Sequence, residues 1–138
     1  MTSEETKQVI EQLKQFAKRW NELYAAEKFE EMKYLATEDV GIANAKDSKE
    51  PSGLIYGRDK YYEGIVNAYG KEKNLLVMKY ENWEYIPLDD NTFYTIGKYT
   101  LEPKMVGVNC WLLRRNSPAD PWRIFRVIDN NDSEQNLT

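Results

Sequence analysis

One change of period constrains this chain more than any motif in it. Up to Gly70 the large apolar residues recur at three-to-four spacing, and from Asn74 onward they recur at every second position. Helices therefore come first and strands after them. That order implies an α+β architecture in which a curved antiparallel sheet wraps around N-terminal helices and leaves a pocket between the layers.

The helical part opens with Thr2/Ser3 followed by Glu5/Thr6, a capping pattern, and continues with Val9, Ile10, Leu13, Phe16, Ala17, Trp20, Leu23 and Tyr24. These residues form one apolar stripe of about six turns. The stripe breaks at Glu27-Lys28, and Phe29, Met32, Tyr34 and Leu35 then mark a short second helix. Val40 to Ala45 reads as a small strand, and 46–53 as a solvated loop by its Asp, Ser, Lys, Glu, Pro and Gly content. Gly57-Arg58-Asp59 begins a third helix that carries Tyr61, Ile65 and Ala68 on one side and meets a stop at Gly70.

The strand-like runs that follow are Leu76 to Glu81, Phe93 to Leu101, Val106 to Leu112 and Trp122 to Phe125. Turn residues separate them at Asp89-Asp90-Asn91, Glu102-Pro103-Lys104 and Asn116 to Pro121, which predicts an antiparallel meander. Gly97 and Gly107 are expected bend or bulge positions in these long strands. Val106, Val108, Cys110 and Leu112 are expected to face the helices. Met105, Trp111 and Leu113 then point outward and form an apolar face for a second copy of the chain.

Composition narrows the function classes. At 138 residues the chain is expected to be a single domain over 1–138, with a core over about 8–132 and a frayed tail over 133–138. Nineteen basic and 23 acidic residues in mixed order give a formal charge of −4, so no continuous positive field is available for nucleic acid. The polar start Met1-Thr2-Ser3-Glu4-Glu5 lacks the features of a signal peptide, and no apolar run approaches the ~20 residues needed to cross a bilayer. Cys110 stands alone, which excludes an internal disulfide and a cysteine-built zinc site and points to a reducing, cytoplasmic setting. No cofactor and no metal are expected: Glu81, Glu84, Asp89 and Asp90 straddle a turn and read as a solvated hairpin end.

Four segments then carry a resemblance: Arg19 to Lys28 at the end of the first helix, Thr37-Glu38-Asp39-Val40 entering the first strand, the Gly57-Arg58 turn, and Trp122-Arg123-Ile124 opening the last strand. In this order and at these separations they resemble the SnoaL-like domains of the nuclear transport factor 2-like superfamily, over roughly Gln8 to Asp132. The resemblance implies a cone-shaped α+β fold that dimerises through its outer sheet face. It does not choose a function, because isomerases, cyclases, dehydratases, transport factors and an association domain share that fold. In the steroid-isomerase branch the oxyanion-hole tyrosine, the protonated aspartic acid and the catalytic base correspond here to Trp20, Val108 and Asn44. Valine cannot donate and asparagine cannot accept a proton at neutral pH. With no histidine in the chain, an Asp/His mechanism is excluded.

The residues expected to line a pocket are Trp20, Asn44, Tyr61, Val108, Cys110, Phe125 and Asp129. Asp129 reads either as a pocket base or ligand anchor, and so as the candidate catalytic group, or as a solvated strand-end acid. Cys110 reads as a small buried hydrophobe, Trp20 as core or pocket wall, Asn44 as a ligand-orienting amide or a turn residue, and Tyr61 as the inward member of Tyr61-Tyr62. Arg58 reads as an anion holder at the third helix or as half of a structural ion pair. Arg114, Arg115, Arg123 and Arg126 form a local basic patch expected to be balanced by acids across the sheet. Together these readings give a domain, dimeric through Met105, Trp111 and Leu113, that binds a small apolar organic ligand without demonstrated catalysis. The alternatives are an isomerase, cyclase or hydratase using a pocket carboxylate, and an interaction module with a filled cavity.

Overall fold

The computed structural model describes residues 1–44, 54–72, 77–102 and 105–131; the side chains of 44, 68, 70–72, 77–83, 99–102, 105–106 and 129–131 lie outside that description. The expected loop over 46–53, the Pro103-Lys104 turn and the tail over 133–138 fall outside the described residues as well.

Helix α1 (Ser3–Ala25) is capped as its sequence predicts. Glu5 N donates to Thr2 Oγ1 at 3.1 Å and Thr2 N donates to Glu5 Oε1 at 3.3 Å, so two otherwise orphaned donors are satisfied reciprocally. The helix ends without a glycine. Glu27 takes the left-handed conformation at φ 57°, and Lys28 N reaches back to Leu23 O at 2.9 Å while Glu27 N reaches Tyr24 O at 3.1 Å. Helix α2 (Phe29–Lys33) and strands β1 (Ala36–Asn44) and β2 (Ile55–Tyr56) follow. Gly57, at φ 108°, then turns the chain into α3 (Arg58–Glu72), its N–H donating to Val40 O at 2.8 Å. The helix runs two residues past the expected stop at Gly70, since an interior glycine costs only about 1 kcal/mol.

Four long strands complete the chain: β3 (Val77–Asp89), β4 (Thr92–Glu102), β5 (Met105–Arg114) and β6 (Arg123–Asn131). They form the expected meander, and the whole sheet has the order β2-β1-β6-β5-β4-β3. The sheet is mixed rather than wholly antiparallel, because β1 lies parallel to β6. Gly107 is not a bulge, and Gly97 borders one, facing Asn82 where the β3–β4 register shifts. Across β4 and β5 Gly97 and Gly107 pair in regular register with Asn109 and Tyr99, and the register shifts lie at Asn82/Glu84, at Pro87/Asp89 and at the β6 residues facing Leu112/Leu113.

Two inner rows of the sheet build the core against α1. One row, Phe93–Leu113–Ile124–Ala36, is fully buried on four neighbouring strands, and Trp122 meets Phe93 edge-on at 5.6 Å. The next, Thr95–Trp111–Val127–Ile42, is centred on Trp111, which meets Phe16 edge-on at 5.6 Å and Trp20 at 6.0 Å. The expected orientation of β5 is therefore inverted. Trp111 and Leu113 are buried inside the monomer, at 2% and 0% exposure, while Val108 is 42% exposed on the opposite face. Both faces of β5 are apolar, so alternation alone does not choose between them. Burying an indole and a leucine against α1 removes more apolar surface from water than burying valine and cysteine, and it decides the matter.

That inversion predicts an asymmetry in mutational cost. Trp111→Ala should destabilise the chain by about 3–5 kcal/mol, whereas Val108→Ala should cost less than about 1 kcal/mol. Urea unfolding midpoints measure both, and equal costs would contradict the assigned faces.

Candidate functional site

Beyond the two core rows the inner face changes character. Gly97 on β4 pairs with Asn109 on β5, Asn109 with Asp129 on β6, and Asp129 with Asn44 on β1. This third row thus holds a glycine and three polar residues where the preceding rows hold large apolar ones. Gly107, two residues before Asn109 on the same strand, is buried and brings no side chain. The Oδ1 atom of Asn109 is itself buried and accepts no hydrogen bond among the described residues. A buried acceptor left unpaired costs about 1–3 kcal/mol, so something able to donate belongs beside it.

The helices supply a second polar group to the interior. Trp20 Nε1 donates to the Tyr61 hydroxyl at 3.0 Å, joining α1 to α3 inside the core. Burial pushes the Tyr61 phenol well above the ordinary tyrosine range, and the Trp20 N–H opposes this only in part. The phenol therefore stays protonated, and Trp20 Nε1 is its hydrogen-bond donor rather than an acceptor for its proton. Next to this pair, Tyr24, Phe29 and Tyr69 form an aromatic cluster with ring centroids 5.3–6.3 Å apart.

The residues expected to line a pocket fall into three groups. Trp20 and Tyr61 are inside and in contact. Asn44 and Asp129 have their backbones paired with each other in the polar row, and their side chains lie outside the described residues. Val108, Cys110 and Phe125 are corrections. Val108 and Cys110 follow the inverted face of β5, where Cys110 Sγ lies 3.5 Å from the Tyr94 hydroxyl. Phe125 sits at the β6 register shift, its ring flanked by the Arg114 and Arg126 guanidinium groups, each 4.3 Å from the centroid. Asn109 takes the inward place expected of Val108. An asparagine between two glycine-bearing positions was its only signal in the sequence.

A second concavity lies where β1 and β6 part. Between the pairs Ala36–Ile124 and Gly41–Arg126, Thr37 to Val40 of β1 face Phe125 alone, and the strand bows outward. The resulting groove, of about 430 Å³, is bordered by Tyr34, Glu38, Asp39, Arg58, Arg114 and Arg123. Among the described residues Arg58 does not form the expected ion pair. Its Nε and Nη2 donate to Ala36 O at 3.1 and 2.8 Å, and its guanidinium lies over the Tyr34 ring at 5.0 Å. Asp39 lies 3.6 Å from Arg114, and its carboxyl is held below the usual range.

No model of a known protein family matches the chain, and no curated protein matches it. Solved structures do. A proposed scytalone dehydratase of Novosphingobium aromaticivorans superposes with a TM-score of 0.70 at 12% identity, over 96% of this chain and 89% of that one. An NTF-2 like protein of unknown function from Shewanella oneidensis gives 0.69 at 16% identity, over 87% and 97%. This chain has the nuclear transport factor 2-like, cystatin-like fold. A SnoaL-like protein of unknown function from Burkholderia thailandensis, at TM-score 0.58 and 11% identity over 86% and 92%, shares the same cone. At these identities the likeness is one of fold, and the residues inside the cone must speak for the chemistry.

The Trp20–Tyr61 contact carries a pH prediction. Tyr61 keeps its proton in the folded chain to higher pH than in the unfolded one, so its contribution is complete below the ordinary tyrosine pKa of about 10 and is lost as pH rises above it. Tyr61→Phe should cost about 1–2 kcal/mol at pH 7 by removing the hydrogen bond, and should lose less stability than the parent between pH 10 and 12. Unfolding by urea at pH 7, 10 and 11.5 checks this; parallel losses in the two proteins would contradict it.

Proposed function

We propose that this chain is a small-molecule-binding domain whose ligand lies inside the cone against the third inner row. The observation that carries this reading is Asn109 Oδ1, a buried acceptor without a donor, set between Gly97 on the next strand and Gly107 on its own. Neither glycine brings a side chain to the inner face, and the amide oxygen can take an N–H or O–H from a ligand seated there. The row above is Thr95–Trp111–Val127–Ile42, so the same ligand is offered an apolar floor. Apolar walls with a few placed polar groups are the usual make-up of such sites. The ligand class that fits is a largely apolar, uncharged molecule with a hydroxyl or amide donor, since an ion without a partner is costly to bury against such a floor.

The dimer belongs to the same proposal: it stays on the outer sheet face, but with Val108 and its neighbours there in place of Trp111 and Leu113, which are buried. Two outer rows cross the sheet, Ile86–Tyr94–Leu112–Arg126 and Glu84–Ile96–Cys110–Ile128. Ile86, Val108 and Ile128 on this face are 39%, 42% and 54% exposed. A second copy meeting the first about a two-fold axis would cover these apolar side chains and set the acid Glu84 of one row against the base Arg126 of the other.

Native mass spectrometry of the purified chain tests the ligand reading. A retained small molecule should appear with the wild type and be lost, or bound about tenfold more weakly, in Asn109→Leu, which removes the acceptor and keeps the bulk. Equal retention would contradict the assigned site. Light scattering tests the dimer: the wild type should be dimeric and Ile128→Glu monomeric, and a dimer unchanged by that substitution would rule out this face.

A further inference from the structure

We propose that the groove where β1 bows away from β6 binds the carboxylate or phosphate group of a small organic anion, with Arg123 as its principal contact. Arg114 and Arg123 are direct cross-strand partners at the ends of β5 and β6, so two cationic side chains leave the sheet from one ladder position. Like charges in that relation destabilise a sheet unless an anion lies between or beside them. Arg114 has one in Asp39, at 3.6 Å, and rests on the Phe125 ring. Arg123 forms no hydrogen bond, ion pair or ring contact among the described residues, although it borders the groove and is half-buried.

The rest of the groove is organised for the same charge. Arg58, on its other side, is oriented by Ala36 O and the Tyr34 ring rather than by a carboxylate, so its charge is not neutralised. Of the acids at the border, Asp39 is paired with Arg114, and Asp120 accepts from Ser117 Oγ at 2.8 Å and keeps its charge, so three acids stand against the four arginines Arg58, Arg114, Arg115 and Arg123 that line the groove. Glu38 is exposed at the rim. A planar guanidinium presents a fork of donors that matches two oxygens of one carboxylate or phosphate, and a fork already held in place loses less freedom on binding. The 430 Å³ volume is larger than a lone inorganic ion fills and falls in the range of small-metabolite pockets. The site is independent of the interior one, since it opens on the outer face beside the bowed strand.

Titration of the full chain with sodium phosphate and, separately, sodium acetate, followed through the arginine side-chain Nε–H signals in NMR, tests this. Sodium chloride at matched ionic strength is the control. Saturable shifts of the Arg123 and Arg58 signals with either anion, beyond those in chloride, are expected; saturation by phosphate assigns a phosphate group and by acetate a carboxylate. In Arg123→Gln the midpoint should weaken about tenfold, and in Lys7→Gln, on the exposed side of α1 and away from the groove, it should not change. Should Arg123→Gln lower the melting temperature, Arg123→Lys carries the same test, keeping the charge and losing the fork. Shifts no larger than in chloride, or a midpoint indifferent to Arg123, would overturn the proposal.

Discussion

The packing of Trp111 against α1 is the contact on which the rest of this structure depends. Its indole is held by Phe16 on one side and Trp20 on the other, at the centre of the sheet's inner face. Because side chains alternate along a strand, placing Trp111 inward also places Leu113 and Asn109 inward, and it sends Val108, Cys110 and Leu112 out. Through the register of β4, β5 and β6 the same choice puts Thr95 and Val127 in the core row and Gly97 beside Asn109. One large aromatic thus orients three strands. It also ties the sheet to the site, because Trp20 touches Trp111 with its ring and Tyr61 with its N–H.

The inner face then reads as a gradient. A fully apolar row at Phe93 and Leu113 gives way to a row with one hydroxyl, Thr95, which donates to Trp111 O at 3.3 Å, and then to the row of Gly97 and Asn109. The first two rows hold large buried side chains, whereas in the third Gly97 brings none and Asn109 is half-buried. The outer face has a parallel break. Regular pairing of β1 with β6 is interrupted between Ala36 and Gly41, and arginines gather along the gap. Gly41 makes one of these arrangements possible: a Cβ there would come within 2.9 Å of Arg126 Cδ and 3.1 Å of the Tyr56 ring, so only glycine lets Arg126 lie over that ring.

Much of this was legible in the sequence, for identifiable reasons. The α1 stripe, its Thr2/Glu5 cap, the Gly57-Arg58 turn and the Asp90-Asn91 hairpin are local signals, and each lies where the residues put it. Tyr61 facing inward followed from helical spacing, a short-range geometry. The face of β5 did not, because Val106, Val108, Cys110 and Leu112 compete with Trp111 and Leu113 and only tertiary packing against Phe16 and Trp20 decides between them. That one inversion carried Val108 and Cys110 out of the expected pocket and Trp111 and Leu113 out of the expected dimer face. The shift at Phe125 and the parallel pairing of β1 were likewise hidden, since both depend on strands far apart in the chain.

The central claim is that the inner face at Asn109 is where a ligand meets this chain. Intermolecular nuclear Overhauser effects with cyclohexanol, a neutral probe bearing one hydroxyl, test it most directly. The account predicts cross-peaks from the probe to the Asn109 side-chain amide protons and to the Trp111 indole, and none to the methyl groups of Val108 or Ile128. Cross-peaks confined to Val108 and Ile128, with the Asn109 and Trp111 signals unperturbed, would contradict it.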